Sequence, residues 1–349
     1  MLPGVGSTKA AKVQIRAASE SVVVPEEGSW NTARMRTLAC IASLMLFACG
    51  EGDGAGTGDG GTGGDALLVD AVASDTADAM SKRCATHEVP REITFEYDGV
   101  TRSVLLAGPD ALPSAPLPLV VNFHGYSDSP EQQEDFTGMS EDAVQRGFVV
   151  AYPRGTGIVK GWNAGACCGS AVANNVDDVG FAEALVDEIA AVSCIDTEKV
   201  FATGYSNGGF LSHRLACESS VFAGIAPVAG VVGVDPCTPE RSIPVLHMHG
   251  TSDVTVPFNG NFALGFSSVA DSTQGWVERL SCSDAEPSVF FEQGDASCVR
   301  WAGCDAPLGL CTIDGGGHTW PGGETPLIRG KTSTDLQANA VMLEFLDVL

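Results

Sequence analysis

Ser206 lies in the heptapeptide GYSNGGF, residues 204–210, a single serine among three glycines. A serine hydroxyl is a weak nucleophile until a neighbouring base takes its proton. G-x-S-x-G between a strand-like run (KVFAT) and a helix-like run (NGGFLSHRLACE) reads as a sharp turn that presents the serine at a strand end. Residues larger than glycine would clash at 204 and 208. The bland alternative is a glycine–serine turn with no chemistry. The choice depends on whether the chain also supplies a base, an acid and an oxyanion site. His318, in DGGGHTW, follows the last strand-like run on a glycine-rich loop and is the candidate base. Asp253, in HGTSDVTVPF, follows the strand-like run that ends at Gly250. A carboxylate there can accept the second imidazole N–H, fix its tautomer and stabilise the imidazolium. Asp177 and Asp178 are rival acids, but they open a helix, where negative charge suits the helix dipole. Two backbone N–H groups are expected to form the oxyanion site, that of Asn207 after the serine and that of Tyr126 in the loop after VVNFHG.

The other histidines fit a base less well. His87 precedes the strands, and His213 is too far along the helix after Ser206. His247 and His249 lie within a strand and read as packed, hydrogen-bonded imidazoles. His124, with Gly125, is expected to shape the Tyr126 loop. Three rings could grip a planar substrate group: Tyr126, Trp162 and Trp320. A core position is the competing reading for Trp162.

The elements that must hold these residues alternate. EITFEYDGVTRSVLLA has alternating apolar positions around Asp98-Gly99 and reads as an antiparallel hairpin. LPLVVNF and GFVVAYP are continuous apolar runs of the kind found in buried parallel strands. VDDVGFAEALVDEIAAV places apolar residues at helical spacing. The strand-like runs KVFATGYS, FAGIAPVAG, IPVLHMHG and LCTIDGGGH follow, with helices at NGGFLSHRLACE, STQGWVERL and TDLQANAVMLEFL. This alternation predicts an α/β fold: a mostly parallel central sheet, helices on both faces and an N-terminal antiparallel hairpin. Ligands bind beyond the carboxyl ends of such strands, and each candidate residue falls there. The chain order Ser206, Asp253, His318 is that of the α/β-hydrolase fold.

The 349 residues carry 44 acidic and 19 basic side chains, a net charge of −25. Such a surface repels phosphate backbones and argues against a nucleic-acid partner. Ahead of the catalytic region, MRTLACIASLMLFACG has a short basic start and an apolar run too short to span a bilayer. Residues 35–49 are expected to be a lipoprotein signal peptide with Cys49 lipidated; a plain secretory signal is the alternative. Met35 is the expected start and residues 1–34 a spurious extension. Residues 50–83, rich in Gly, Asp and Ala, read as a flexible tether, and residues 84–349 as the folded domain. The only expected membrane contact is the lipid anchor, and the expected state is a monomer.

Taken together, HG after an apolar strand, GWNAGACCG, VDDVGF, ATGYSNGGFLSHRLACE, IAPVAG, HGTSDVTVPF and DGGGHTWPG resemble the polyhydroxybutyrate depolymerase and feruloyl esterase family of secreted α/β hydrolases. The resemblance runs from about residue 90 to the C-terminus. It implies a serine esterase without a cofactor, with the triad on Ser206, Asp253 and His318. The implied substrates are feruloyl or acetyl esters of plant polysaccharides, or polyhydroxyalkanoates. Tyr126 departs from the pattern, since many members carry a small residue or cysteine there. The ten cysteines beyond Cys40 and Cys49 exceed a typical bacterial member's and, with CIDT, are closer to the fungal esterases.

An even cysteine number in an exported chain points to disulfides. The resemblance implies Cys282–Cys304. Cys298 and Cys311 bracket a possible hairpin that would set them opposite each other. Cys217 ends the serine helix and Cys237 follows the next strand, which suggests a third bond. By elimination, Cys84 and Cys194 are expected to pair with Cys167 and Cys168, in either order. Among functions, polyester depolymerase is the alternative enzyme. A peptidase of this fold is disfavoured because no propeller or lid domain precedes. A surface-anchored binding lipoprotein with a dead hydrolase fold would be expected to lack Ser206, Asp253 or His318.

Overall fold

The computed structural model describes Cys84, residues 88–110 and residues 115–347. The expected extension (1–34), signal peptide (35–49, with Cys49) and tether (50–83) lie outside the described residues.

Ten strands form one sheet: β1 (Glu92–Tyr97), β2 (Val100–Ala107), β3 (Leu117–Phe123), β4 (Val149–Pro153), β5 (Ile195–Tyr205), β6 (Gly224–Val228), β7 (Val245–Gly250), β8 (Ser288–Gln293), β9 (Ala296–Arg300) and β10 (Leu308–Ile313). Their spatial order is β1-β2-β4-β3-β5-β6-β7-β10-β9-β8. The middle, from β4 to β10, is parallel. The β1–β2 pair and the β8–β9 pair extend it with antiparallel strands at either edge. The first edge is the expected hairpin, turned by Asp98 and Gly99 at φ 49° and 71°, the left-handed pair that matches strand twist. At the second edge the possible hairpin around Cys298 and Cys311 is the β9–β10 pairing, whereas β8 has no counterpart in the sequence reading. β8 is largely exposed, so burial leaves little pattern on its sequence.

The parallel strands end in register. Phe123 pairs with Gly204, Tyr205 with Val228, and Ile313 with Gly250. β4 is buried along its whole length and β3 over its last five residues, as their apolar runs require. One face of the sheet is covered by the helices Asp178–Val192, Asn207–Glu218 and Val269–Arg279, through Phe181, Leu185, Leu215 and Trp276. The other is covered by Met139–Gln145 and Ala338–Asp347, through Met139, Ala143, Met342 and Leu343. The short helix Pro130–Thr137 is capped by Ser129, which accepts from Gln132 N, and has Pro130 in its first turn. Its polar sequence, PEQQEDFT, hid it from a search for apolar spacing.

The cysteine geometry corrects one expectation. Sulfur atoms meet in the pairs Cys217–Cys237, Cys282–Cys304 and Cys298–Cys311. Cys298 and Cys311 stand directly opposite each other on β9 and β10. Cys84, however, pairs with Cys194, and Cys167 with its neighbour Cys168. The eliminated alternative fails on distance. Cys194 precedes β5 at the amino end of the sheet, whereas the 162–168 loop contacts Asn207 beyond its carboxyl end. A strand of 11 residues lies between, roughly 36 Å at ~3.3 Å per residue, and a disulfide tolerates a Cα separation of only about 7 Å.

Mass spectrometry of unreduced peptides should therefore recover Cys84 joined to Cys194, and Cys167 and Cys168 within one peptide. A cross-linked peptide joining either of the first pair to the 167–168 segment would contradict this topology. Cys194→Ser should lower unfolding free energy by about 2–4 kcal/mol, read by denaturant titration.

Candidate active site

Ser206 sits at the junction of β5 and the helix Asn207–Glu218, with φ 55° and ψ −117°. A non-glycine residue in that region is strained and is held there by its surroundings. Its N–H donates to Val228 O at 2.9 Å, which ties the turn to the neighbouring strand. The flanking glycines are needed for packing. A Cβ at Gly208 would meet the Phe123 carbonyl, and one at Gly204 would meet Gly208 and the same carbonyl.

Ser206 Oγ donates to His318 Nε2 at 2.8 Å, and His318 Nδ1–H donates to Asp253 Oδ2 at 2.6 Å. His318 and Asp253 are both 4% exposed. The carboxylate accepts only, so the imidazole proton lies on Nδ1 and the Nε2 lone pair faces the serine. Asp253 Oδ1 takes the N–H groups of Thr255 and Val256, each at 2.8 Å. Burial alone would raise its pKa. Hydrogen bonds from His249 and His318 outweigh burial and hold the carboxyl well below the usual range. It is thus an anion throughout the neutral range. Asp177 and Asp178 stand elsewhere. Asp177 caps the helix at Gly180 N and accepts from Tyr97 Oη, while buried Asp178 accepts from Asn163 N and pairs with Arg102.

The loop that carries His318 is clamped by groups that sequence reasoning missed. Tyr205 Oη donates to the His318 carbonyl at 2.6 Å, and its ring lies 4.8 Å from the imidazole. His318 N–H donates to Arg329 O at 2.7 Å. The Arg329 guanidinium covers the Tyr205 ring and reaches Asp128 at 3.3 Å. Tyr205 adjoins the serine in sequence, but nothing local shows that its hydroxyl spans to residue 318. The sequence reads His249 as a packed imidazole. Its Nε2–H faces Val256 O at 2.9 Å and Asp253 Oδ2 at 3.4 Å, so it also steadies the acid.

The Asn207 N–H is the first of its helix and has no intrahelical acceptor. Its side chain does something else: it clamps the Trp162 backbone, accepting from Trp162 N at 2.7 Å and donating to Trp162 O at 3.1 Å. His124 shapes the neighbouring loop. Its Nδ1–H donates to Gly125 O at 2.7 Å, and Nε2 accepts from Gly155 N at 3.0 Å. The Tyr126 ring is 38% exposed and lies against Gly161 and Gly169.

Two substrate-contact expectations are corrected. Trp162 and Trp320 are completely buried. Trp162 Nε1–H donates to His124 O and its ring stacks on Phe181; Trp320 Nε1–H donates to Asn339 Oδ1 beneath the second face of the sheet. A buried indole finds an acceptor and contributes packing, and neither ring is open to a substrate.

Strand ends in register, a strained serine turn and an uninterrupted Ser–His–Asp hydrogen-bond chain are the marks of an α/β hydrolase. The chain belongs to the esterase PHB depolymerase family, whose model matches residues 103–257. It is 31% identical over 276 residues to NocK of Nocardia uniformis subsp. tsuyamanensis, which carries an esterase name, covering 71% of this chain and 80% of that protein. It is 30% identical over 218 residues to feruloyl esterase B of Piromyces equi, covering 58% of this chain. The chain spans only 39% of the length of that Piromyces protein. The solved acetyl xylan esterase from Aspergillus awamori shares the fold, with a TM-score of 0.54 at 14% identity, over 74% of this chain and 100% of that one.

Three buried histidines give the folded protein a pH signature. Burial lowers His124 from 6.5 to about 4 and His213 to about 3, and pushes His247 well below 6.5. The unfolded chain takes up these protons near 6.5 and the folded one does not, so stability falls as pH drops below that value. Each histidine should remove about 1.4 kcal/mol per pH unit, down to about pH 4 for His124. Urea titrations at pH 7, 6 and 5 should show the decline. A flat profile would contradict neutral burial.

Proposed function

We propose that this chain is a serine carboxylic ester hydrolase acting on feruloyl or acetyl esters of plant polysaccharides. The observation that carries this reading is the unbroken hydrogen-bond chain from Ser206 Oγ through His318 to Asp253 Oδ2. Ser206 Oγ attacks the ester carbonyl carbon while its proton passes to His318 Nε2. The oxyanion that forms is met by the N–H groups of Asn207 and Tyr126, aided by the helix N-terminus. Collapse breaks the bond to the alkoxy oxygen, which leaves as the alcohol with the proton from His318. Water then attacks the acyl-serine carbonyl carbon and gives a proton to His318; the bond from the acyl carbon to Ser206 Oγ breaks, Oγ takes that proton back, and the acid is released. Asp253 stays ionised throughout and stabilises the imidazolium.

Relatives named feruloyl esterase and acetylxylan esterase support the polysaccharide-ester reading. The PHB depolymerase description of the family supports a polyester depolymerase as the second. Parallel hydrolysis of methyl ferulate, acetylated xylan and a short-chain polyhydroxyalkanoate discriminates between them. Disulfide pairing supports an exported location, and residues 35–49 support anchoring through lipidated Cys49.

Ser206→Ala should reduce kcat by roughly 10⁴- to 10⁶-fold with the fold intact by circular dichroism. Retention of half the activity would remove Ser206 from the mechanism. Cys49→Ser should move the protein from the membrane fraction to the soluble fraction, since a chain of net charge −25 is not drawn to an anionic lipid surface. A wild type already fully soluble would refute the anchor.

A further inference from the structure

A cavity of about 310 Å³ lies beside the candidate active site, walled by the β1–β2 turn, the loop after β4 and the segment that leads into the helix Asp178–Val192. Its size is that of a small-molecule site. It opens at the end of the sheet that also carries Ser206. Antiparallel pairing sets the start of β2 against the end of β4, with Val104 opposite Pro153. From β2 to β5 is three strand steps through β4 and β3, roughly 14 Å at ~4.8 Å per step. One loop joins the two places. Lys160 lines the cavity, while a Cβ on the next residue, Gly161, would touch the Tyr126 ring and Asn207 Oδ1. The same loop is anchored to the Tyr126 turn, where Ser127 N–H donates to Lys160 O at 2.7 Å.

The chemistry of the wall is unusual for this chain. In a protein with 44 acidic and 19 basic residues, three cations, Arg102, Arg154 and Lys160, line this one cavity. Arg102 is 3% exposed; its Nη2 donates to Arg154 O and pairs with Asp178 behind the wall. Its Nε–H has no partner, and neither has the buried hydroxyl of Thr156. Both residues line the cavity. Both atoms are closed off behind the wall, with the Arg102 guanidinium 3.4 Å from the Phe181 ring centroid, so Arg102 lends the cavity positive potential rather than a donor. Arg154 is engaged by Glu131 and Ser103. Lys160 pairs with no carboxylate among the described residues. Two carboxylates share the wall. Asp177 already accepts from Tyr97 Oη and Gly180 N, and Asp98 is exposed on the turn. The cation left open to the cavity is therefore Lys160, with Arg102 and Arg154 adding positive charge beside it, and the matching ligand is anionic.

We propose that this cavity is a subsite for a carboxylate-bearing sugar unit, a hexuronate, of the same polysaccharide whose ester reaches Ser206. The proposal rests on the esterase reading for its substrate and extends it to the composition of the polymer. Lys160 meets the carboxylate, the amides of Asn174 and Asn175 face the ring hydroxyls, and a short oligosaccharide bridges to the serine. Ester groups on acidic, uronate-branched chains are thereby selected over those on neutral chains.

The test uses Ser206→Ala protein, which binds without turnover, titrated calorimetrically with a glucuronate-branched xylo-oligosaccharide and with the unbranched oligosaccharide of equal length. The branched ligand should bind about tenfold more tightly, as one added charge-assisted contact provides. The preference should shrink in 1 M salt and be lost in a Ser206→Ala, Lys160→Met double variant, while Lys160→Arg retains it. Equal affinity for the two ligands, binding of neither, or a preference that survives Lys160→Met would each overturn the proposal. Hydrolysis of methyl ferulate by the wild type reports on the esterase reading separately, so the two can fail independently.

Discussion

The carbonyl oxygen of Phe123, at the end of β3, lies against the first turn of the helix Asn207–Glu218 so closely that residue 208 can carry no side chain. This contact sets how sharply the chain turns between β5 and the helix, and hence where Ser206 Oγ points. The helix starts directly above β3 and β5, and its unsatisfied N–H groups face the end of the sheet. The Tyr126 loop leaves β3 at His124, one residue beyond Phe123, so the serine turn and its facing loop share one packing constraint. The tie from Ser206 N–H to Val228 O extends the constraint to β6.

Electrostatics completes what packing begins. Asp253 is buried yet stays anionic because two backbone N–H groups and two imidazoles converge on it. Those partners point its charge at His318 and set the imidazole tautomer. His249 cannot turn its Nε2 lone pair toward Val256 O, so its proton lies on Nε2 and its Nδ1 accepts from His247 Nε2, 3.2 Å away. His213 accepts the indole proton of Trp276 at 3.1 Å. Burial keeps His213 and His247 neutral behind Asp253.

Disulfides hold the periphery. Cys84–Cys194 fastens the start of the described domain to the amino end of β5. Cys298–Cys311 staples the antiparallel extension to β10, whose end leads to His318. Cys282–Cys304 joins the end of the helix Val269–Arg279 to the β9–β10 connection. The β8–β9 edge is thereby tied to the parallel centre, while the β1–β2 edge, which carries the cationic cavity, is joined to it by strand pairing.

Local chemistry and period made much of this legible in the sequence. Apolar runs marked β3 and β4, the turn residues Asp98 and Gly99 marked the hairpin, and a glycine-flanked serine followed by Asp253 and His318 marked the strand ends that meet. Each is a statement about residues within a few positions of one another, plus chain order. Tertiary structure decided whatever depends on which surfaces face each other. Trp162 and Trp320 look like cleft rings by position, but sheet twist and loop path bury both, and their indole N–H groups find internal acceptors. Cys84, Cys194, Cys167 and Cys168 could be counted but not paired, because pairing depends on which end of β5 each thiol reaches. Tyr205 and Arg329 clamp the His318 loop from 113 positions before and 11 after it. No periodicity encodes such a contact, because it exists only once the strands have brought their ends to one edge.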